Sequence, residues 1–314
     1  MEVAMRKLFL ASVAFGWLAF SCLLAAISTA QADSQNDCTK GEPDEMLRGC
    51  TKLIDSGRFK GPSVALAYNN RGVAKSNLGD REGAIADYSE ALRIDPRSLL
   101  ARVNRARNLA ALGRYQEAIT DVTHAIKLTP RSRENYALRA EFNEGNGTLD
   151  AAQDDYREAI KRSPSFSQNY FALGKILLQL SNHEEAIELL SHAIQLNSRN
   201  PSYFFERGLA WTNAGKCDQA IPDYNKAIEL SPRMSVAYNN RAVCHIRAGH
   251  RDEAEADLET ALKYDPGNQQ ARKNLEIQRN SPVPKPEVVT VAPVPTFEPP
   301  PIKEMLQTPE FPPD

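Results

Sequence analysis

Apolar and polar positions along the chain recur at a spacing of 34 residues, six times over, between Ala65 and Asn268. Alanine stands at Ala84, Ala118, Ala152, Ala186, Ala220 and Ala254, and again seven residues later at Ala91, Ala125, Ala159, Ala193, Ala227 and Ala261. Residues seven apart lie on nearly the same face of a helix, where small side chains let a second backbone approach closely. An earlier small position repeats as Gly72, Ala106, Ala140, Gly174, Gly208 and Ala242. Glycine at Gly79, Gly113, Gly147, Gly215 and Gly249 supplies a tight turn, and Pro96, Pro130, Pro164, Pro232 and Pro266 close their units, since proline disfavours helix in the residue before it. Each unit therefore reads as a helical hairpin, the first with helices from roughly Leu66 to Asn77 and from Glu82 to Ile94. A lone hairpin cannot bury its apolar face, so the expected product is an all-α solenoid of stacked hairpins with nearest-neighbour contacts.

A second periodic signal joins the two helices of a unit. Arginine recurs at Arg71, Arg105, Arg139, Arg207 and Arg241, and sixteen residues after each comes Asp87, Asp121, Asp155, Asp223 and Asp257. The fourth unit has Leu173 and Leu189 in these two places. Both members change together, as an ion pair between packed helices requires, because a buried charge stripped of its partner is costly. These ten residues are expected to be structural bridges. The fourth unit also lacks the turn glycine, having Ser181, and the closing proline, having Ser198.

The block ALAYNNRGVAKSNLGDREGAIADYSEALRIDP, from Ala65 to Pro96, resembles the tetratricopeptide repeat. The resemblance extends over 65–268 and departs from the motif at Arg102, where the family prefers an aromatic residue, and at Ser181 and Ser198. It implies a right-handed superhelix of six units, at 65–98, 99–132, 133–166, 167–200, 201–234 and 235–268. Residues 33–64 contain DEMLRGCTKLI, which fits the second helix of an N-terminal half-repeat acting as a cap, and residues 269–280 have the charged character of a capping helix. Proline dominates 281–314, where an extended, disordered tail is expected.

The N-terminus carries Arg6 and Lys7, an uncharged apolar run from Leu8 to Ile27, and Ala30-Gln31-Ala32, the pattern of a cleaved export signal over residues 1–32. The apolar run is long enough to serve alternatively as an uncleaved inner-membrane anchor. Cleavage leaves Cys38, Cys50, Cys217 and Cys244, an even number for an oxidising compartment. Cys38 with Cys50, and Cys217 with Cys244, are the expected disulfides. Free packed thiols or metal ligation are the alternatives, although His245 and His250 follow no known zinc spacing.

The formal charge of −2 becomes one unit more negative once Glu2, Arg6 and Lys7 are removed, which gives no electrostatic case for nucleic acid or an anionic membrane. No phosphate loop, nucleophile elbow or carboxylate pair stands outside the repeat pattern, so no catalytic residue, metal or cofactor is expected.

By the resemblance, first helices line an inner groove. Its candidate partner-binding residues are Phe171, Lys175, Leu178, Phe205, Leu209, Val243 and Ile246, with an acidic middle at Glu134, Glu141 and Glu144. Asn70, Asn104 and Asn240 resemble the asparagine ladder that holds a peptide backbone in some members, interrupted by Leu138, Ala172 and Glu206. The expected function is a non-enzymatic adaptor in the periplasm of a Gram-negative envelope, binding a peptide or protein segment. The rival readings are an inner-membrane-anchored organiser of an envelope assembly and the non-catalytic specificity arm of a transferase-type enzyme.

Overall fold

A computed structural model describes residues 36–280 of the chain. The leader expected at 1–32 and the tail expected at 281–314 lie outside the described residues. Among the described residues there is no strand, and no helix is long and apolar enough to cross a membrane. The chain divides into two compact units, up to Pro130 and from Arg131 onward.

The first unit opens with a helical turn at 36–40, followed by α1 (Pro43–Asp55), α2 (Pro62–Asn77), α3 (Arg81–Ile94), α4 (Leu99–Ala111) and α5 (Tyr115–Leu128). The second contains α6 (Arg133–Gly145), α7 (Leu149–Arg162), α8 (Ser167–Gln179), α9 (His183–Leu196), α10 (Pro201–Asn213), α11 (Cys217–Leu230), α12 (Ser235–Arg247), α13 (Arg251–Tyr264) and α14 (Gln269–Asn280). Within each unit, helices adjacent in sequence pack against one another. Helix α2 starts four residues ahead of the expected Leu66. Gly61 caps it with a positive φ, and Pro62 occupies the first helical position, where its fixed φ suits the helix and its missing N–H is no loss.

The twelve alanines of the repeat are all fully buried, and their small size brings each hairpin's helices together. The approach is close at the first-helix glycines, where an added Cβ would lie 2.7 Å from Cε1 of Tyr88 at Gly72 and 2.8 Å from Cε1 of Tyr224 at Gly208. At the turn between helices the same geometry recurs. In the first hairpin the N–H of Gly79 donates to the carbonyl of Ser76, and that of Asp80 to Lys75, closing the helix with a left-handed residue at φ 89°. Ser181 fills that place in the fourth repeat and adopts φ 60° with the equivalent bonds to Leu178 and Leu177. The turn survives without glycine, at the steric cost a side chain incurs in the left-handed region.

Each arginine of the periodic pairs meets its aspartate through two parallel bonds. Arg207 donates from Nε to Oδ2 of Asp223 at 2.8 Å and from Nη2 to Oδ1 at 2.7 Å, and Arg71, Arg105, Arg139 and Arg241 do the same to their own aspartates. The aspartates are only 3–6% exposed. These bonds hold the guanidinium groups of Arg71, Arg139 and Arg241 above their ordinary pKa. The remaining nitrogen does a second job. Nη1 of Arg105 donates to Ser89, that of Arg207 to Ser191, both at 3.0 Å, and that of Arg241 to Asn225 at 2.6 Å. Each acceptor lies on the second helix of the preceding hairpin, so one side chain ties three helices together.

The fourth repeat is different. Leu173 and Leu189 are buried together in an apolar cluster with Tyr156, Ile176, Leu177, Leu190 and Tyr203. The residue that would have accepted from a fourth-repeat arginine is Arg157, and it turns instead to Glu185 at 2.8 Å.

Cys38 and Cys50 form a disulfide between the opening turn and α1, with Cα atoms 4.6 Å apart. Cys217 and Cys244 join the start of α11 to α12 across 5.2 Å. The C-terminal helix α14 buries Ala271 and Leu275 against α13, and its Arg279 bonds Glu255 and Glu259, each at 2.6 Å. Arg102, the departure from the aromatic pattern, sends Nη2 to the carbonyl of Pro96 at 2.7 Å, the same role that the Tyr238 hydroxyl plays toward Pro232.

Two stability outcomes follow from this packing. Arg207→Leu alone should cost about 3 kcal/mol by stranding Asp223, whereas Arg207→Leu with Asp223→Leu, the combination the fourth repeat already uses, should recover most of that loss. A double-mutant cycle in urea checks the coupling. Ser181→Gly should stabilise the chain by about 0.5–1 kcal/mol, read as a raised urea midpoint at unchanged slope.

Candidate partner groove

The first helices α8, α10 and α12 carry the candidate binding residues of the second compact unit. Phe171, Lys175 and Leu178 are half-buried on α8, Phe205 and Leu209 on α10, and Val243 on α12, while Ile246 is 37% exposed. The ring of Phe171 rests on Tyr203 with centroids 4.8 Å apart, and the Lys175 ammonium lies 5.9 Å from the Phe171 ring centre. Phe205 packs at 6.1 Å against Tyr224 of its own hairpin, beside Trp211 and Ile221. Packing therefore claims part of both aromatic rings and leaves the rest accessible. Phe171 and Leu178 border the large apolar cluster of the fourth repeat, whereas Phe205 borders a separate cluster containing Tyr224 and Cys244.

The asparagines are placed differently from the ladder suggested by the resemblance. Asn70 donates to the carbonyl of Cys38 at 3.1 Å and accepts from Asn69, and Asn104 donates to Asn69, also at 3.1 Å. Asn240 accepts from Asn239 at 2.9 Å. Asn239 accepts in turn from Asn274 of the capping helix at 2.9 Å. These amides serve contacts between hairpins, and buried Asn69 and Asn239 are the hubs. A pairing of fifth- and sixth-position asparagines was the available signal: both occur together at 69–70 and at 239–240.

Glu206 carries chemistry that the repeat pattern treats only as an interruption. It is half-buried at the sixth position of its unit, and no hydrogen bond reaches its carboxylate among the described residues. Burial pushes its pKa up, and the opposing attraction of Lys175 does not restore it. Lys175 forms no ion pair with it within 4.0 Å. The nearby hydroxyls are already engaged: Thr212 donates to Gly208 and bonds the Tyr224 hydroxyl, both at 2.8 Å. Burial raises the Tyr224 phenol to about 12, so it stays neutral.

Of the acidic residues expected in the middle of the groove, Glu134 is held by Arg133, and its pKa is lowered chiefly by that bond. Among the described residues no group of three or more His, Cys, Asp or Glu side chains gathers to hold a metal. The first compact unit holds a separate cleft of about 450 Å³, lined by Cys38, Lys40, Leu53, Phe59, Leu66 and Asn70, which the repeat period does not announce because it lies against the irregular N-terminal turn.

Hairpin after hairpin joined by small-residue contacts and nearest-neighbour ties defines an α-solenoid built for protein interaction. The tetratricopeptide-repeat model matches residues 65–98, 100–132, 140–201 and 235–268, just over half of the chain, and the chain belongs to that family. No curated protein matches the sequence. Its fold is similar to the C-terminal part of a TPR repeat-containing protein from Cytophaga hutchinsonii, at TM-score 0.64 and 17% identity over 79% of this chain and 98% of that one. It is also similar to pilF of Pseudomonas aeruginosa, at TM-score 0.55 and 18% identity over 72% and 97%. A further likeness is to YrrB, described as a TPR protein with an unusual peptide-binding site, at TM-score 0.52 and 20% identity over 60% and 97%.

The raised pKa of Glu206 makes a pH-dependent prediction. Its carboxyl titrates higher folded than unfolded, so the stability contributed by its proton is present below the ordinary carboxylate range and is lost as pH rises through the shifted value. Glu206→Gln should therefore melt above the wild type at about pH 7, with the gap closing near pH 4. Melting midpoints by circular dichroism at both pH values check this.

Proposed function

We propose that this tetratricopeptide-repeat adaptor is exported to the bacterial envelope and works there without catalysis, holding a peptide or protein segment on the first-helix face of residues 131–280. The observation that carries the reading is the pair Phe171 and Phe205, large aromatic rings on α8 and α10 that the fold leaves half-accessible. Partly exposed aromatic groups flanked by polar side chains have the character of interface hot spots. A pre-organised helical face lowers the ordering cost of binding, so affinity needs no chemistry by the protein. Export is supported by the leader pattern of residues 1–32 and by four cysteines that pair two by two.

The test is photo-crosslinking in intact cells from a reactive amino acid at position 205, followed by mass spectrometry of the envelope fraction. A discrete partner is expected, and Phe171→Ala with Phe205→Ala should weaken binding of that partner by at least about tenfold. Unchanged affinity in the double variant would refute the groove reading.

A further inference from the structure

The capping helix α14 repeats the first-helix pattern once more. Its Asn274 donates to Asn239 of α12 at 2.9 Å, as Asn104 of α4 donates to Asn69 of α2. Its Arg272 reaches the carbonyl of Pro266 at 2.6 Å, as Arg102 reaches that of Pro96. Helix α14 therefore stands where a seventh first helix would, touching α12, and Ile277 falls one period after Val243 and two after Leu209. These three side chains make one apolar row across α10, α12 and α14. The row opens to solvent toward its C-terminal end, where Ile277 is 53% exposed and Val236, beside it on α12, is 46% exposed. Pro282, Pro284 and Pro286 follow α14 in the sequence and suit an extended ribbon rather than the second helix of another hairpin.

We propose that residues 282–291 of this same chain lie across the row, over α12 and then α10, and cover it until a partner displaces them. The chain leaves α14 within one turn of Ile277 and at the edge of the face where Ile246 sits, because first helices run parallel. Packed helices lie about 10 Å apart and an extended proline-rich ribbon advances about 3.1 Å per residue, so this stretch reaches past α12 to α10. It carries Val283, Val288, Val289 and Val291. Proline already holds such a backbone extended, which lowers the ordering cost of laying valines on an apolar surface. A tether this short also gives the segment an effective concentration near the millimolar range, which a separate peptide must exceed. Coverage needs no partner. Its consequence, that a ligand held at Phe171 and Phe205 competes with the segment for Leu209 and Val243, rests on the groove reading above.

The experiment digests the full chain with a glutamate-specific protease and follows two bonds by mass spectrometry. One lies after Glu287, inside the covering segment, and the other after Glu304, beyond it, which serves as the internal reference. Cleavage of a covered bond tracks the fraction of time it is uncovered. Relative to Glu304, the Glu287 bond should be cut about tenfold more slowly in the wild type than in Val243→Ser with Ile277→Ser. Val283→Ser with Val291→Ser should remove the protection equally, and it leaves every helix unchanged, so unfolding is not the cause. The same ratio in the wild type and both variants overturns the inference. Protection that vanishes on about a hundredfold dilution assigns the covering segment to a second copy and also overturns it. The yield of partner trapped from position 205 should rise at least about threefold in Val283→Ser with Val291→Ser; an unchanged yield overturns the competition. Equal digestion ratios together with a loss of partner binding in Phe171→Ala with Phe205→Ala leave the groove standing without its cover. Protection of Glu287 with no partner trapped leaves the cover standing and removes the groove reading.

Discussion

Every regular hairpin is organised around a carboxylate that has been taken out of water. Asp87, Asp121, Asp155, Asp223 and Asp257 are buried by the close helix packing that the repeated alanines permit, and each is tolerable only because an arginine arrives in fork geometry. That requirement sets the rotation of the two helices about each other. The third guanidinium nitrogen, reaching Ser89, Ser191 or Asn225, carries the constraint across to the preceding hairpin. Even the capping helix obeys the same arrangement in reverse, with Arg279 reaching back to Glu255 and Glu259.

The fourth repeat shows what happens when the constraint is lifted. Leucine replaces both partners, and an apolar cluster fills the space. Arg157, which occupies the position that elsewhere accepts the third bond, finds Glu185. Three positions rather than two therefore vary as a set, and the change leaves apolar surface next to Phe171. The irregular repeat and the candidate groove are neighbours for a physical reason: without a polar network to satisfy, that hairpin is free to extend its apolar core toward the accessible face.

Hairpins, turns and bridges were legible because each repeats, so that six instances test one rule. Ser181 in a left-handed turn could be anticipated from the five glycines that share its register. The serine and asparagine acceptors were legible in principle, since Ser89, Ser191 and Asn225 precede their arginines by sixteen residues, but a mixed hydroxyl-and-amide set hides better than an invariant aspartate. The asparagines resemble a ladder for a peptide backbone, while the contacts Asn70 makes to Cys38 and Asn104 to Asn69 follow from the stacking of hairpins, which the repeat period does not show. Glu206 reads in the sequence only as an interruption of the asparagine positions, because the burial that raises its carboxyl comes from the packing of neighbouring hairpins and not from the repeat itself. The start of α2 at Pro62 was missed because the period begins at Ala65, while the helix answers to local backbone chemistry.

The direction of the arginine's third bond has a consequence for how the chain assembles during synthesis. Arg105, Arg207 and Arg241 each emerge after the helix that bears their acceptor and before the helix that bears their aspartate. An arriving hairpin thus meets a prepared hydroxyl or amide on its predecessor while its own carboxylate is still to come. Growth from the N-terminal side is favoured at each of these joints, and Arg279, arriving last and reaching back to two glutamates already in place, closes the series.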